Sequence, residues 1–218
     1  MQSHIHRCIF GGTPDALVYA LESVSSVAST PVSLLRRLKE HQPDSREWER
    51  LHAIYMPLIQ IWLMRVPGLG DEAADLAQDV WVVVVRDLPR FERIREGSFR
   101  TWLRRVTVNR IRIFWRQHNH RATPCDGMEA FLSQLEDPVS SAAKQWDREH
   151  DEHVFRQLLA IVQPEFKPTT WTAFLRSAVD GLSAAEIALE LKISENSVLL
   201  AKSRVLKRLR VEAEGLID

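Results

Sequence analysis

Cysteine is almost missing. Cys8 and Cys125 are the only two in 218 residues, which excludes a disulfide framework and fits a reducing cytosol. Long apolar runs are missing too, and none approaches the roughly 20 residues of a membrane span. The early stretch Ala16–Ala20 is short, is followed by Glu22, and lacks the Lys/Arg-rich start of a signal peptide. A cytoplasmic chain without membrane insertion is expected. Catalytic constellations are lacking as well: no Ser/His/Asp set, phosphate loop or pocket-like carboxylate pair is present, so neither an enzyme nor a cofactor is expected. His118-Asn119-His120 spells a nuclease motif but lacks its β-hairpin context and further metal ligands. His4, His6 and Cys8 have nothing to fix their geometry. No metal site is expected.

Net charge is the last absence, with 29 Lys and Arg against 29 Asp and Glu. Its distribution is informative where its sum is not. Between Arg90 and Arg121 there are ten arginines against only Glu92 and Glu96. From Lys202 to Arg210 there are five basic residues and no acid. The balancing acids gather at Asp71, Glu72, Asp75 and Asp79, and again at Asp147, Glu149, Asp151 and Glu152. Solvated helix faces usually mix both signs, so this separation predicts two phosphate-binding surfaces and two acidic surfaces with other work.

Hydrophobic content of 45% allows two modest cores. Residues 1–30, with Gly11, Gly12, Pro14 and a serine-rich tail, read as a poorly ordered extension. From Pro31 the pattern is helical. Ser45 is a plausible N-cap for a helix carrying Trp48, Leu51, Tyr55, Leu58 and Trp62, which Pro57 should kink or divide. After Pro67-Gly68 and Gly70, Asp71 is expected to cap a helix with the buried stripe Ala73, Leu76, Ala77, Val80, Val84 and Leu88. The β-branched run Trp81–Val85 suits a strand on propensity, but the 3.6-residue period and acidic first turn decide for helix. Pro89 ends it. A third helix follows a loop through Gly97, with Phe99, Trp102, Leu103, Val106, Arg110 and Phe114 on one side. Its arginines lie largely elsewhere, and its aromatics beside cations suit unstacked bases. Residues 122–141, with Pro124, Gly127, Pro138 and Ser140-Ser141, read as a flexible linker with a short helix over Met128–Leu135. A second helical domain is expected over 142–218. The fold class is all-α, in two small helical domains.

The C-terminal motif is the sharpest local signal. Ser183 with Glu186 forms a capping box. Ile187 and Ala188 suit a close helix crossing, Leu191-Lys192-Ile193 is a short turn, and Ser194 caps a second helix. Val198, Ala201, Val205, Leu206 and Leu209 mark its buried side. This is a helix-turn-helix for duplex DNA, in which residues near the start of the second helix reach base edges and flanking cations bind phosphate. Lys192 stands where glycine is usual, at a cost of about 1 kcal/mol for its left-handed backbone.

Asp75-Leu76-Ala77-Gln78-Asp79-Val80-Trp81 and Phe99–Arg110 resemble the second conserved region of extracytoplasmic-function (ECF) sigma factors, of the sigma-70 family. Gly181–Arg210, with Ala201-Lys202-Ser203-Arg204, resembles the fourth region. The likeness spans roughly Pro31–Arg210, placing a region 2-like domain over 31–121 and a region 4-like domain over 142–218. It implies a promoter-specificity subunit that binds core RNA polymerase (the β′ clamp helices and the β subunit), recognises −10 and −35 elements and aids melting. Asp75, Leu76, Gln78, Asp79 and Trp81 would contact the polymerase. Arg100, Arg104, Arg105, Asn109, Arg112, Trp115 and Arg116 would hold the opened −10 strand, with a base flipped near Asn109. Ser194, Glu195, Asn196, Ser197, Lys202, Ser203, Arg204, Lys207 and Arg208 would read the −35 duplex. Promoter DNA is the second implied partner and an anti-sigma factor a third. Two other readings are an independently acting helix-turn-helix regulator and a metal-dependent nuclease.

Overall fold

The computed structural model describes residues 46–91, 98–118 and 127–213. Among the described residues there are eight α-helices and no strand: α1 (Arg46–Leu63), α2 (Ala73–Asp87), α3 (Ser98–His118), α4 (Met128–Glu136), α5 (Ser141–Val162), α6 (Pro168–Ala178), α7 (Ala184–Leu191) and α8 (Glu195–Ala213). Ser45, the extension 1–30, Gly97, both cysteines and residues 119–126 lie outside the described set. Two compact units divide between His153 and Val154, within α5.

In the first unit α1 packs on α2, α2 on α3 and α3 on α4. Helix α1 buries the expected Trp48, Leu51, Tyr55, Leu58 and Trp62, and it runs through Pro57 undivided. An interior proline costs about 3 kcal/mol. Each fully buried apolar side chain returns roughly 1.5–3 kcal/mol, and such side chains lie on both sides of Pro57, so burial wins. Helix α2 buries Ala73, Leu76, Ala77, Val80 and Val84. Val82 is 63% exposed, which a strand pairing Val80, Val82 and Val84 on one face would not allow. Asp71 is not the cap of α2. A 3₁₀ turn over Gly70–Glu72 precedes the helix, and its bond from the Ala73 N–H to the Gly70 carbonyl occupies an amide that an Asp71 cap would otherwise take.

Helix α3 is covered on two sides, which turns its register from the expected one. Phe99, Leu103, Val106, Val108, Ile111 and Trp115 are buried, whereas Trp102 and Phe114 are only half-buried. The second covering layer is the segment read as a flexible linker. Helix α4 anchors itself through buried Met128, Leu132 and Leu135, spaced four and three residues apart so that they share one face. The start of α5 adds Ala143 and Trp146, the latter 4.6 Å between ring centroids from Trp62.

In the second unit the end of α5 supplies Val154, Phe155, Leu158, Leu159 and Val162 to the core. Helices α6, α7 and α8 pack pairwise around Ala173, Ile187, Val198 and Ala201. The capping box forms as expected: the Glu186 N–H donates to Ser183 Oγ at 3.3 Å and the Ser183 N–H to Glu186 Oε2 at 2.9 Å. Lys192 sits at φ 54°, ψ 46° in the left-handed region, and Ile193 N–H reaches back to the Ala188 carbonyl at 3.1 Å. That turn aims α8 across α7.

Candidate nucleic-acid interface

Helix α3 divides its arginines into two sets. Arg104 is 3% exposed; its Nη1 donates to Asp147 Oδ1 at 2.8 Å and to the Ala143 carbonyl at 3.3 Å. Burial lowers its pKa against the opposing pull of Asp147. Arg100 donates to Asp151 Oδ2 at 2.7 Å and lies 3.6 Å from Asp147. These two arginines fasten the start of α5 to α3. Trp115, also expected at the DNA, is 7% exposed and packs inward.

Arg105, Asn109 and Arg116 are exposed. With Arg112 they stand at i, i+4, i+7 and i+11, a single stripe along the helix. Arg112 is the occupied member. It forks onto Glu136 at 2.6 and 2.9 Å and reaches Glu129 at 2.8 Å. Those bonds, to Glu136 first and Glu129 second, raise its pKa above the ordinary arginine value. The sequence reading missed this partition because the covering acids lie up to 51 residues away in the chain.

On α2, Asp75, Gln78 and Asp79 are exposed and Trp81 is half-buried, its ring edge-on to His52 with centroids 4.9 Å apart. Leu76 is 2% exposed and belongs to the core. Asp79 accepts from Arg110 at 2.5 Å. Val82, one turn beyond Gln78 and Asp79, presents an apolar group that the sequence reading did not single out.

In the second unit, Ser194 Oγ accepts the Ser197 N–H at 3.2 Å, so the second helix is capped as expected. Glu195, Asn196, Ser197, Ser203, Arg204 and Lys207 are exposed, and Lys202 is half-buried. Arg208 is engaged within the unit, donating to Glu165 at 2.6 and 2.8 Å and pairing with the buried Glu212 at 2.5 Å. Burial works against its charge, but the two carboxylates together raise its pKa. Among the described residues no group of three or more His, Cys, Asp or Glu is placed to hold a metal ion, and no helix is long and apolar enough to cross a membrane.

An acidic helix, an arginine helix and a capped helix pair with the geometry of a helix-turn-helix follow one another in this order. Residues 51–121 match the family of sigma-70 region 2. The chain is 29% identical over 177 residues to the RNA polymerase sigma factor CarQ of Myxococcus xanthus, covering 81% of this chain and 93% of that protein. Residues 51–121 thus carry a sigma-70 region 2 domain, and together the two similarities support an RNA polymerase sigma factor of the ECF subfamily of the sigma-70 family. An independently acting regulator is not favoured, because it leaves the region 2 domain unexplained.

Proposed function

We propose that the first unit holds the opened −10 strand on the α3 stripe Arg105–Asn109–Arg112–Arg116, while α8 reads the −35 element as duplex. The observation that carries this is the stripe itself, a side-chain amide flanked by guanidiniums at helical spacing. It is exposed at Arg105, Asn109 and Arg116 and half-buried at Arg112, beside a buried Arg104 and a half-buried Arg100 that are held by acids. Cations spaced along a helix suit a strand backbone, and an amide among them can pair with the edge of an unstacked base. The stripe excludes Arg100 and Arg104, whose work is structural. A region 2-like unit running to His153 and a region 4-like unit from Val154 carry the two halves, in place of the 31–121 and 142–218 spans and the 122–141 linker expected from sequence.

The exposed face of α2 supplies the polymerase contact through Asp75, Gln78, Asp79 and half-buried Trp81. Core polymerase, with its β′ clamp helices and β subunit, and promoter DNA are the partners in this reading. An anti-sigma factor would compete for the same surfaces. No catalytic residue is assigned, and melting draws on stronger binding of the open strand than of the duplex. The cytoplasm is the compartment such work requires.

Run-off transcription with core polymerase and a random promoter library tests the reading. Transcripts that depend on this chain and enrich two separated elements are the expected result. Sequence-specific binding by the chain alone, with no transcript from core enzyme, would overturn it.

A further inference from the structure

Leu199 and Leu200 have no role in the sites described so far, yet they are 57% and 44% exposed on α8. Asn196, Leu200, Ser203 and Lys207 fall at i, i+4, i+7 and i+11, one stripe along the helix. All four are exposed, while Val198, Ala201, Val205 and Leu209 are buried on the other side. Leu200 thus stands in the middle of the face that α8 turns away from its own core, with Leu199 at its edge.

A lone exposed leucine needs no explanation. A protein-docking face is usually a contiguous apolar patch of a few hundred Å². Here two leucines stand among an amide, hydroxyls and cations, namely Asn196, Ser197, Ser203, Arg204 and Lys207. That mixture fits base edges. In the major groove the amide suits adenine, the cations suit guanine or phosphate, and the apolar feature on offer is the C5-methyl of thymine. We propose that Leu200, supported by Leu199, is a specificity-determining residue that packs on a thymine C5-methyl in the upstream duplex element. A cytosine there lacks the C5-methyl, so the apolar contact selects against it. The inference rests on α8 being the duplex-reading helix.

The test uses the full chain bound to core polymerase, on its library-selected promoter, at fixed salt. Each thymine of the upstream element is replaced in turn by deoxyuridine, which removes only the methyl group. At one or two positions the wild type should bind about fourfold more weakly, the worth of burying one methyl. Leu200→Ala should bind the thymine and uracil duplexes equally, and Leu199→Ala should shrink the difference. A wild type indifferent to uracil at every position overturns the methyl contact, as does an upstream element lacking any preferred thymine. So does a Leu200→Ala variant that retains the uracil penalty. Loss of assembly with core enzyme in the leucine variants, with the uracil penalty intact, would assign the leucines to a protein contact instead. Arg204→Ala and Lys207→Ala separate the two levels. If they weaken upstream binding while uracil has no effect, only the methyl contact fails; if they leave it unchanged, the duplex-reading role of α8 fails with it.

Discussion

Arg104 and Asp147 lie 2.8 Å apart, Nη1 to Oδ1, with the arginine 3% exposed, while its sequence neighbour Arg105 is exposed on the adjacent face of the same helix. Two consecutive arginines therefore do different work. Removing Asp147 leaves a buried guanidinium with only the Ala143 carbonyl at 3.3 Å. Asp147→Ala should destabilise the first unit by about 2–4 kcal/mol, read as a lower denaturation midpoint. Arg105→Ala should change stability by less than about 0.5 kcal/mol while weakening capture of the opened strand. Equal effects of the two variants on stability would refute the division.

Arg112 is the stripe residue held away from solvent by Glu129 and Glu136 of α4 and its last turn. These pairs are exposed at the carboxylate end, so they contribute little stability, about 0–1 kcal/mol each. Glu129→Gln with Glu136→Gln should release the guanidinium and remove two negative charges beside the strand. Affinity for a single-stranded −10 oligonucleotide should rise a few-fold in low salt, and the gain should shrink as salt screens it. An unchanged affinity in fluorescence titration would mean that Arg112 does not meet the strand.

The elements most legible in sequence were those set by local chemistry. The capping box of Ser183 and Glu186, the left-handed Lys192, the stripe of α2 and the buried side of α8 all follow from contacts within a few residues. Legibility fell where a second layer intervened. Nothing near Arg100 or Arg104 foretells Asp147 and Asp151, and the pairing of Arg208 with Glu165 spans 43 residues. Trp115 and Phe114 exchanged roles for the same reason: α3 is covered from two directions, and an apolar stripe read by period alone reports only one. Asp71 lost the cap to a 3₁₀ turn whose backbone bonds leave no signature in side-chain type.

The polymerase contact proposed for α2 is best tested away from Asp79, because reversing that residue also breaks its bond to Arg110. Asp75 has no such complication in the reading and is exposed. Asp75→Lys, and separately Val82→Asp at the 63% exposed apolar position, should weaken assembly with core polymerase by about tenfold or more while leaving the thermal midpoint within about 2 °C. Binding of the upstream duplex by the full chain should not change. Parallel loss of polymerase and upstream-DNA binding would remove α2 from the contact.

Lys192 adopts a left-handed backbone that costs a non-glycine residue roughly 1–2 kcal/mol. Glycine removes that cost but gains freedom in the unfolded chain, which returns part of it. Lys192→Gly should therefore raise the melting temperature by about 1–3 °C, and Lys192→Val should lower it, since β-branched residues fit this region worst. A glycine variant that melts lower than wild type by calorimetry would show that the lysine side chain itself holds the turn.

Glu186 links the same motif to pH. The Ser183 hydroxyl donates to its Oε2 at 2.7 Å and the Ser183 backbone N–H at 2.9 Å. The hydroxyl bond first, and the backbone bond second, hold its pKa below the ordinary carboxylate value. Folding thus favours the ionised form, and in acid the unfolded chain binds more protons at this position than the folded one. The contribution is complete above the unfolded pKa of about 4.3 and is lost as pH falls through the lower folded value. Between pH of about 5 and 3, wild type should lose stability more steeply than Glu186→Gln, which has no proton to take up. Ser183→Ala should flatten the slope in the same direction by removing the hydroxyl that stabilises the carboxylate. Denaturation midpoints followed across that range decide it, and parallel curves for wild type and Glu186→Gln would mean that the capping box contributes nothing to the acid sensitivity of the second unit.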